Sequence, residues 1–146
     1  MRLVVQRVSK AEVSVRGEVI GSIERGLCAF LGIHAEDGPE GVERLVDKLL
    51  NLRIFCDSEG KMNRSLKQVE GGLLIISQFT LYGDCSRGRR PEFTKAARPE
   101  AAEPLYERFV EQARLLFAPV ETGRFGAEME VSLVNEGPVT LLLEGK

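Results

Sequence analysis

At 146 residues the chain has the length of one domain, and a chain of this size buries about two-thirds of its unfolded surface, so it can hold a core without disulfides or metals. Hydrophobic residues at 43% and charged residues at 29% exclude disorder as its main state. With 20 Lys and Arg against 22 Asp and Glu the net charge is -2, which excludes coating nucleic acid by bulk charge and leaves only local contact.

The N-terminal third reads as antiparallel strands. Leu3 to Val8 is β-prone, Val13 and Val15 alternate with polar residues, Gly17 marks a turn, and Val19, Ile20 and Ile23 lead to Gly26 and the run LCAFLGI. Asp37-Gly38-Pro39 is a helix start, and Val42, Leu45, Val46, Leu49 and Leu50 form one apolar stripe. After the RIF triplet comes a polar turn over residues 57–60. Gly71-Gly72 opens LLIISQFTL, read as a strand buried on both faces and ending at residues 82–84. The segment from Gly83 to Arg98 carries Arg87, Arg89, Arg90, Lys95 and Arg98 against Asp84 and Glu92, a local net of +3. A second helix is expected from about Ala101 to Phe117, with Leu105, Phe109, Ala113 and Leu116 as its stripe and Pro104 tolerable only in the first turn. The alternation of Ala127, Met129, Val131 and Leu133, a turn at residues 135–138 and VTLLLE predict strand, turn, strand. The pattern fits one α+β domain over 1–146, an antiparallel-rich sheet curved into a barrel with two packed helices.

Scarcity constrains the chemistry. The single histidine, His34, closes a strand before a charged loop and reads as a strand-end residue; with no second one, Ser-His and Cys-His catalysis is disfavoured. Cys28, Cys56 and Cys85 form no C-x-x-C, which excludes a zinc ribbon or redox pair by pattern, and each reads as a buried small hydrophobe in a reducing compartment. The apolar run Leu3–Val5 falls short of the roughly 7–15 residues of a signal segment or the roughly 20 of a membrane span, so cytoplasmic residence is the expectation. Ser77, Gln78 and Thr80 follow a buried strand, where polar groups are either rigidly held toward solvent for a site or merely satisfy the strand end. NEGPVT at 135–140 is a plain turn or a constrained one, and the arginine segment is a phosphate site or a solvated loop. Glu128 and Glu130 read as the wet side of a strand.

Taken together, SQFTLYGD at 77–84 and NEGPVT at 135–140 resemble the paired signatures of the D-aminoacyl-tRNA deacylase family. QRV at 6–8, RIF at 53–55, GKMN at 60–63, GRRPEF at 88–93 and TGRFGA at 122–127 resemble it in the same order, so the likeness spans the chain. The resemblance implies a homodimer that hydrolyses the ester joining a D-amino acid to the tRNA 3′ end, with glycyl esters, as on mischarged alanine tRNA, also cleaved. It implies a cis Gly137-Pro138 bond braced by Arg7, in a motif reaching into the partner's site so that its carbonyls exclude L side chains by steric rejection. It implies a hydrolytic corner at Ser77, Gln78, Phe79 and Thr80, with the Phe79 and Thr80 N–H groups as oxyanion hole and either the tRNA 2′-hydroxyl as relay or Thr80 as nucleophile. Asn135 and Thr140 belong to the substrate motif, Phe125 and Met129 are candidates for the adenine pocket, and Arg87, Arg89 and Arg90 for acceptor-stem phosphates. No cofactor, metal, membrane or DNA partner is expected.

Overall fold

The β-branched run at the start of the chain forms β1 (Arg2–Val15), around which the sheet is organised. A computed structural model describes residues 1–145. β2 (Glu18–Ile23) returns on β1 through Arg16 and Gly17, both at positive φ, as a tight hairpin requires. β3 (Gly26–Gly32) pairs antiparallel with the other half of the same β1 edge. A 3-10 turn (Pro39–Gly41) leads into α1 (Val42–Asn51), and β4 (Phe55–Cys56) and β5 (Met62–Arg64) form a separate ribbon. β6 (Gly72–Ser77), α2 (Pro99–Leu116), β7 (Val120–Thr122) and β8 (Glu130–Glu144) complete the chain. The main sheet runs β2-β1-β3-β6-β7, with β8 on the free edge of β1, and β2 approaches β6 and β7 so that the sheet curls into a nearly closed barrel.

The α+β architecture and both helices agree with the sequence. The sheet is antiparallel-rich as expected, through the pairings of β1 with β2, β3 and β8, but it is mixed: β6 runs parallel to β3 and β7 parallel to β6. The segments carrying α1 and α2 separate these strand pairs, and a long helical connection permits parallel pairing. The core has two parts. Leu3 and Val5 of β1, Leu27, Ala29 and Leu31 of β3, and Leu73 and Ile75 of β6 face α1 and α2, whereas Val8, Ala11, Val13, Cys28, Leu74 and Ile76 fill the barrel side. Ser9 is bulged out between Val8 and Lys10, and this extra residue lets Val8, Ala11 and Val13 face one side.

Four local readings change. SQFTL does not continue the strand: β6 stops at Ser77, and Phe79–Tyr82 is a 3-10 turn. Residues 135–138 do not reverse the chain; β8 runs on along β1 in one direction, with Gln6 opposite Thr140 and Val8 opposite Asn135, so residues 136–139 bulge out against Arg7 alone. In α2, Pro104 lies in the second turn, and the buried stripe is Ala102, Tyr106, Phe109, Val110 and Ala113, while Leu116 is exposed. Finally, Cys56 and Cys85 are exposed and only Cys28 is buried.

Candidate active site

The turn expected to form the hydrolytic corner is built by a strand that ends abruptly. Leu73 to Ile76 are buried on both faces of the sheet, and the Gln78 N–H donates to Leu31 O at 2.8 Å as the last bond to β3. The chain then tightens: Leu81 N–H donates to Gln78 O at 3.3 Å and Gly83 N–H to Thr80 O at 2.9 Å. The N–H groups of Phe79 and Thr80 precede these bonds and so have no acceptor inside the turn. Gln78 Nε2 donates to Thr80 Oγ1, which ties the side chains on either side of Phe79 together. Behind the turn, Arg2 Nη1 donates to Leu81 O at 2.9 Å, while its guanidinium lies 4.8 Å from the centre of the Tyr82 ring and pairs with Glu144 at 2.7 Å.

Ser77, Gln78 and Phe79 open onto a cavity of about 520 Å³. Phe125 and Met129, half-buried, form part of its wall with Tyr106 of α2. Met129 Sδ accepts the Arg124 N–H at 3.4 Å, which pins the thioether to the turn that carries Phe125. The Tyr106 ring lies 5.6 Å from that of Phe125, and its hydroxyl donates to Ile75 O at 3.1 Å. Burial pushes the Tyr106 phenol up to about 12, so it remains a neutral donor at ordinary pH. A mostly apolar wall with a few polar groups at one end suits a flat aromatic group bound beside a reacting ester.

The second constellation is the bulge. Arg7 is buried, and its Nη1 donates to Ile54 O at 2.7 Å while Nε donates to Glu136 O at 3.2 Å. Asn135 Oδ1 accepts the Val139 N–H at 3.1 Å, and Asn135 Nδ2 and Gln6 Nε2 both donate to Thr140 Oγ1, at 3.0 and 3.1 Å. The loop is thus closed across its neck by Asn135 and held from below by Arg7. The Gly137-Pro138 bond is cis. Gly137 sits at φ +126°, where a side chain is strained, and a Cβ there would lie 3.0 Å from Arg7 Nη2.

A sequence profile of D-Tyr-tRNA(Tyr) deacylase matches residues 4–144. The chain belongs to this family. Curated relatives named D-aminoacyl-tRNA deacylase, from Symbiobacterium thermophilum and Brevibacillus brevis, are 56% and 58% identical, over 100% and 99% of this chain and 97% and 99% of theirs. Among solved structures, one titled c-Myc DNA Unwinding Element Binding Protein superposes with a TM-score of 0.95 at 44% identity, covering 100% of this chain and 99% of that one. A probable eukaryotic D-amino acid tRNA deacylase shares the fold at a TM-score of 0.84 and 21% identity, covering 97% of each chain. Family membership makes the protein a hydrolase of the aminoacyl-tRNA deacylase class.

Within this deacylase fold the expected residues fall into separate places. Ser77, Gln78, Phe79, Phe125 and Met129 share the cavity, and Thr80 lies on the adjoining turn. Arg7, Asn135, Gly137, Pro138 and Thr140 make the bulge, which does not line the cavity of its own chain. Arg87, Arg89 and Arg90 are exposed on a loop closed by the Asp84–Glu92 bridge. His34 lies outside the cavity, with its Nδ1 accepting the Glu36 N–H at 3.1 Å and its ring edge-on to Tyr82. Sequence reasoning missed Tyr106 and Arg2. Tyr106 is recoverable from the i, i+4, i+7, i+11 spacing of Ala102, Tyr106, Phe109 and Ala113. Nothing local distinguishes Arg2, because its partners come from residues 81, 82 and 144.

Proposed function

We propose that this deacylase cleaves the ester between a D-amino acid, or glycine, and the 3′-terminal adenosine of tRNA, working as a homodimer in which each bulge completes the partner's site. The observation that carries the reading is the turn at Phe79 and Thr80, whose N–H groups donate to no backbone carbonyl among the described residues and which adjoins an apolar cavity lined by Ser77, Gln78 and Phe79. An aminoacyl ester is already activated, and one such donor contributes about 2.7–4 kcal/mol of transition-state stabilisation in a well-studied case. The terminal adenine would lie against Phe125 and Met129, and Gln78 and Ser77 would orient the ribose and the attacking water. The ribose 2′-hydroxyl is the favoured proton relay, because among the described residues the Thr80 hydroxyl meets the Gln78 amide, which is not a base.

Chirality follows from the bulge. Residues 136–139 bulge from the β1–β8 ladder, are not among the residues lining the cavity of their own chain, and are held by Arg7 and Asn135. Placed in the partner's cavity, their carbonyls would stand where an L side chain would go and would touch nothing of a D side chain. A wall that excludes one hand without gripping the other tolerates many side chains. Arg87, Arg89 and Arg90 would contact acceptor-stem phosphates, a term that weakens with salt.

The deciding assay offers matched D- and L-tyrosyl-tRNA and follows release of the amino acid. Fast cleavage of the D form and negligible cleavage of the L form are expected; equal rates would remove the steric account. The solved relative titled as a DNA-element binding protein, together with the exposed arginines, favours a second reading as a nucleic-acid-binding module without catalysis. That reading predicts salt-dependent binding with neither ester cleaved.

A further inference from the structure

Phe79 and Phe93 are among the exposed large apolar side chains, at 57% and 36% exposure, and their rings meet edge-to-face with centroids 5.1 Å apart. A lone exposed phenylalanine needs no explanation, but these two are in contact, and one of them lines the mouth of the catalytic cavity. The pair is held firmly. Phe93 belongs to the loop closed by Asp84 N–H to Glu92 O at 2.8 Å and Glu92 N–H to Asp84 O at 3.0 Å, with Ala96 N–H donating to Phe93 O at 3.1 Å. Gly83 leaves room for the ring, since a Cβ there would lie 2.9 Å from Phe93 Cε1. The same loop carries Arg87, Arg89 and Arg90, all exposed, while the ion pairs found among the described residues use Arg2, Lys61, Lys95, Arg108 and the N-terminus instead.

Rigid exposed aromatic rings beside unpaired guanidinium groups are the chemistry that binds single-stranded nucleic acid, in which unpaired bases stack on rings while cations hold the backbone. We propose that Phe79 and Phe93 form a stacking ledge for the unpaired base that precedes the terminal adenosine. This proposal rests on the deacylase reading of the cavity and adds a second nucleotide subsite to it. Phe79 belongs both to the cavity and to the ledge, so a nucleotide next to the one in the cavity meets the rings. With the terminal adenosine in the cavity, the preceding base leaves over the Phe79 ring toward Phe93 and the arginine loop. The ledge reads an aromatic face and not a sequence, so any base serves there.

The test uses D-tyrosyl-tRNA whose penultimate nucleotide is intact or abasic, with the full-length protein and its Phe93→Leu variant. Phe93→Leu keeps apolar packing against Gly83 and removes the π face. The wild-type protein is expected to show a KM raised about 5- to 150-fold by the abasic substrate, the range of one base–aromatic stack. Phe93→Leu is expected to raise KM on the intact substrate with little further effect of the abasic change, and 2-aminopurine at the penultimate position is expected to be quenched by the wild-type protein and less so by the variant. If the wild-type protein cleaves both substrates with the same KM, the deacylase reading stands and the ledge is wrong. If Phe93→Leu slows both substrates equally, or dissociates subunits in sedimentation, the ring is a packing or subunit contact and the proposal fails. If D-tyrosyl-tRNA is not cleaved at all, the deacylase reading fails and the ledge with it.

Discussion

Arg7 shows how one side chain couples distant parts of the chain. Its guanidinium reaches Ile54 O and Glu136 O, and its buried position is tolerable because those carbonyls replace water. A lysine offers a point charge in place of a planar fork and cannot reproduce both bonds in that geometry. The cysteines contrast with it. Burial pushes the Cys28 thiol up to about 12, and Cys56 and Cys85 are exposed, although Cys56 Sγ lies 3.9 Å from Arg7 Nη1. At pH 8 a thiol reagent is therefore expected to label Cys56 and Cys85 in the native protein and Cys28 only after denaturation; prompt native labelling of all three would contradict the burial. The same shift has a stability consequence. Cys28 is neutral in the folded state up to about 12 but ionises near 9.0 when unfolded, so the native state loses its advantage as pH rises from about 9 to 12, with Tyr82 and Tyr106 adding to the loss above 10.0. Denaturant midpoints should fall across that window, and Cys28→Ala should make the fall shallower.

Elements are decided by patterns that extend over several residues, and α2 is the instructive case. Of its expected stripe, Phe109 and Ala113 are buried and Leu105 packs partly against the core, whereas Leu116 is exposed and Ala102, Tyr106 and Val110 complete the buried face. Pro104 sits in the second turn, where it removes the N–H that would bond to Glu100 O, yet the helix persists because Phe109 and Ala113 are fully buried against the sheet. Pro104 is exposed, so Pro104→Ala should restore the bond without disturbing packing. The gain is offset in part by a more flexible unfolded chain; a net rise of about 1 kcal/mol, or about 3 °C in Tm, is expected in thermal unfolding. A lower Tm would mean that the proline ring itself is a packing contact. The end of β6 illustrates the opposite limit. The apolar run Leu73–Ile76 announced a strand buried on both faces, but its stopping point at Ser77 depends on where β3 ends, since Gln78 makes the last bond to Leu31.

At the scale of the whole molecule, the free edge of β8 is the conspicuous feature. Among the described residues β8 pairs with β1 alone, and Val134, Leu141 and Leu142 are exposed along it. A long apolar edge strand invites pairing with another chain, and the proposed homodimer would find a surface for a second copy here. Leu142, at 57% exposure, packs little within its own chain. Leu142→Glu is expected to leave the circular dichroism spectrum intact, shift sedimentation from dimer to monomer, and reduce D-tyrosyl-tRNA cleavage at least tenfold. A monomeric variant that still discriminates D from L would show that the bulge is not needed in trans.

Composition and local order carry the single α+β domain, the apolar stripe of α1, the buried run Leu73–Ile76 and the ordered motifs that the family profile matches over 4–144. Tertiary structure alone decided what depends on meetings between distant residues. The parallel pairing of β6 with β3 and β7 left only indirect signs in the sequence, the continuous apolar run Leu73–Ile76 and the helices between the strands, because direction is fixed by which strand edges meet. NEGPVT looked like a reversal because Gly and Pro serve turns and bulges equally well; only the β1 register, with Gln6 opposite Thr140 and Val8 opposite Asn135, makes it a bulge. The roles of Tyr106 and Arg2 likewise come from partners many residues away. Local sequence sets the periodicity of burial, whereas register and reach are set by which backbone groups find partners once the chain has closed on itself.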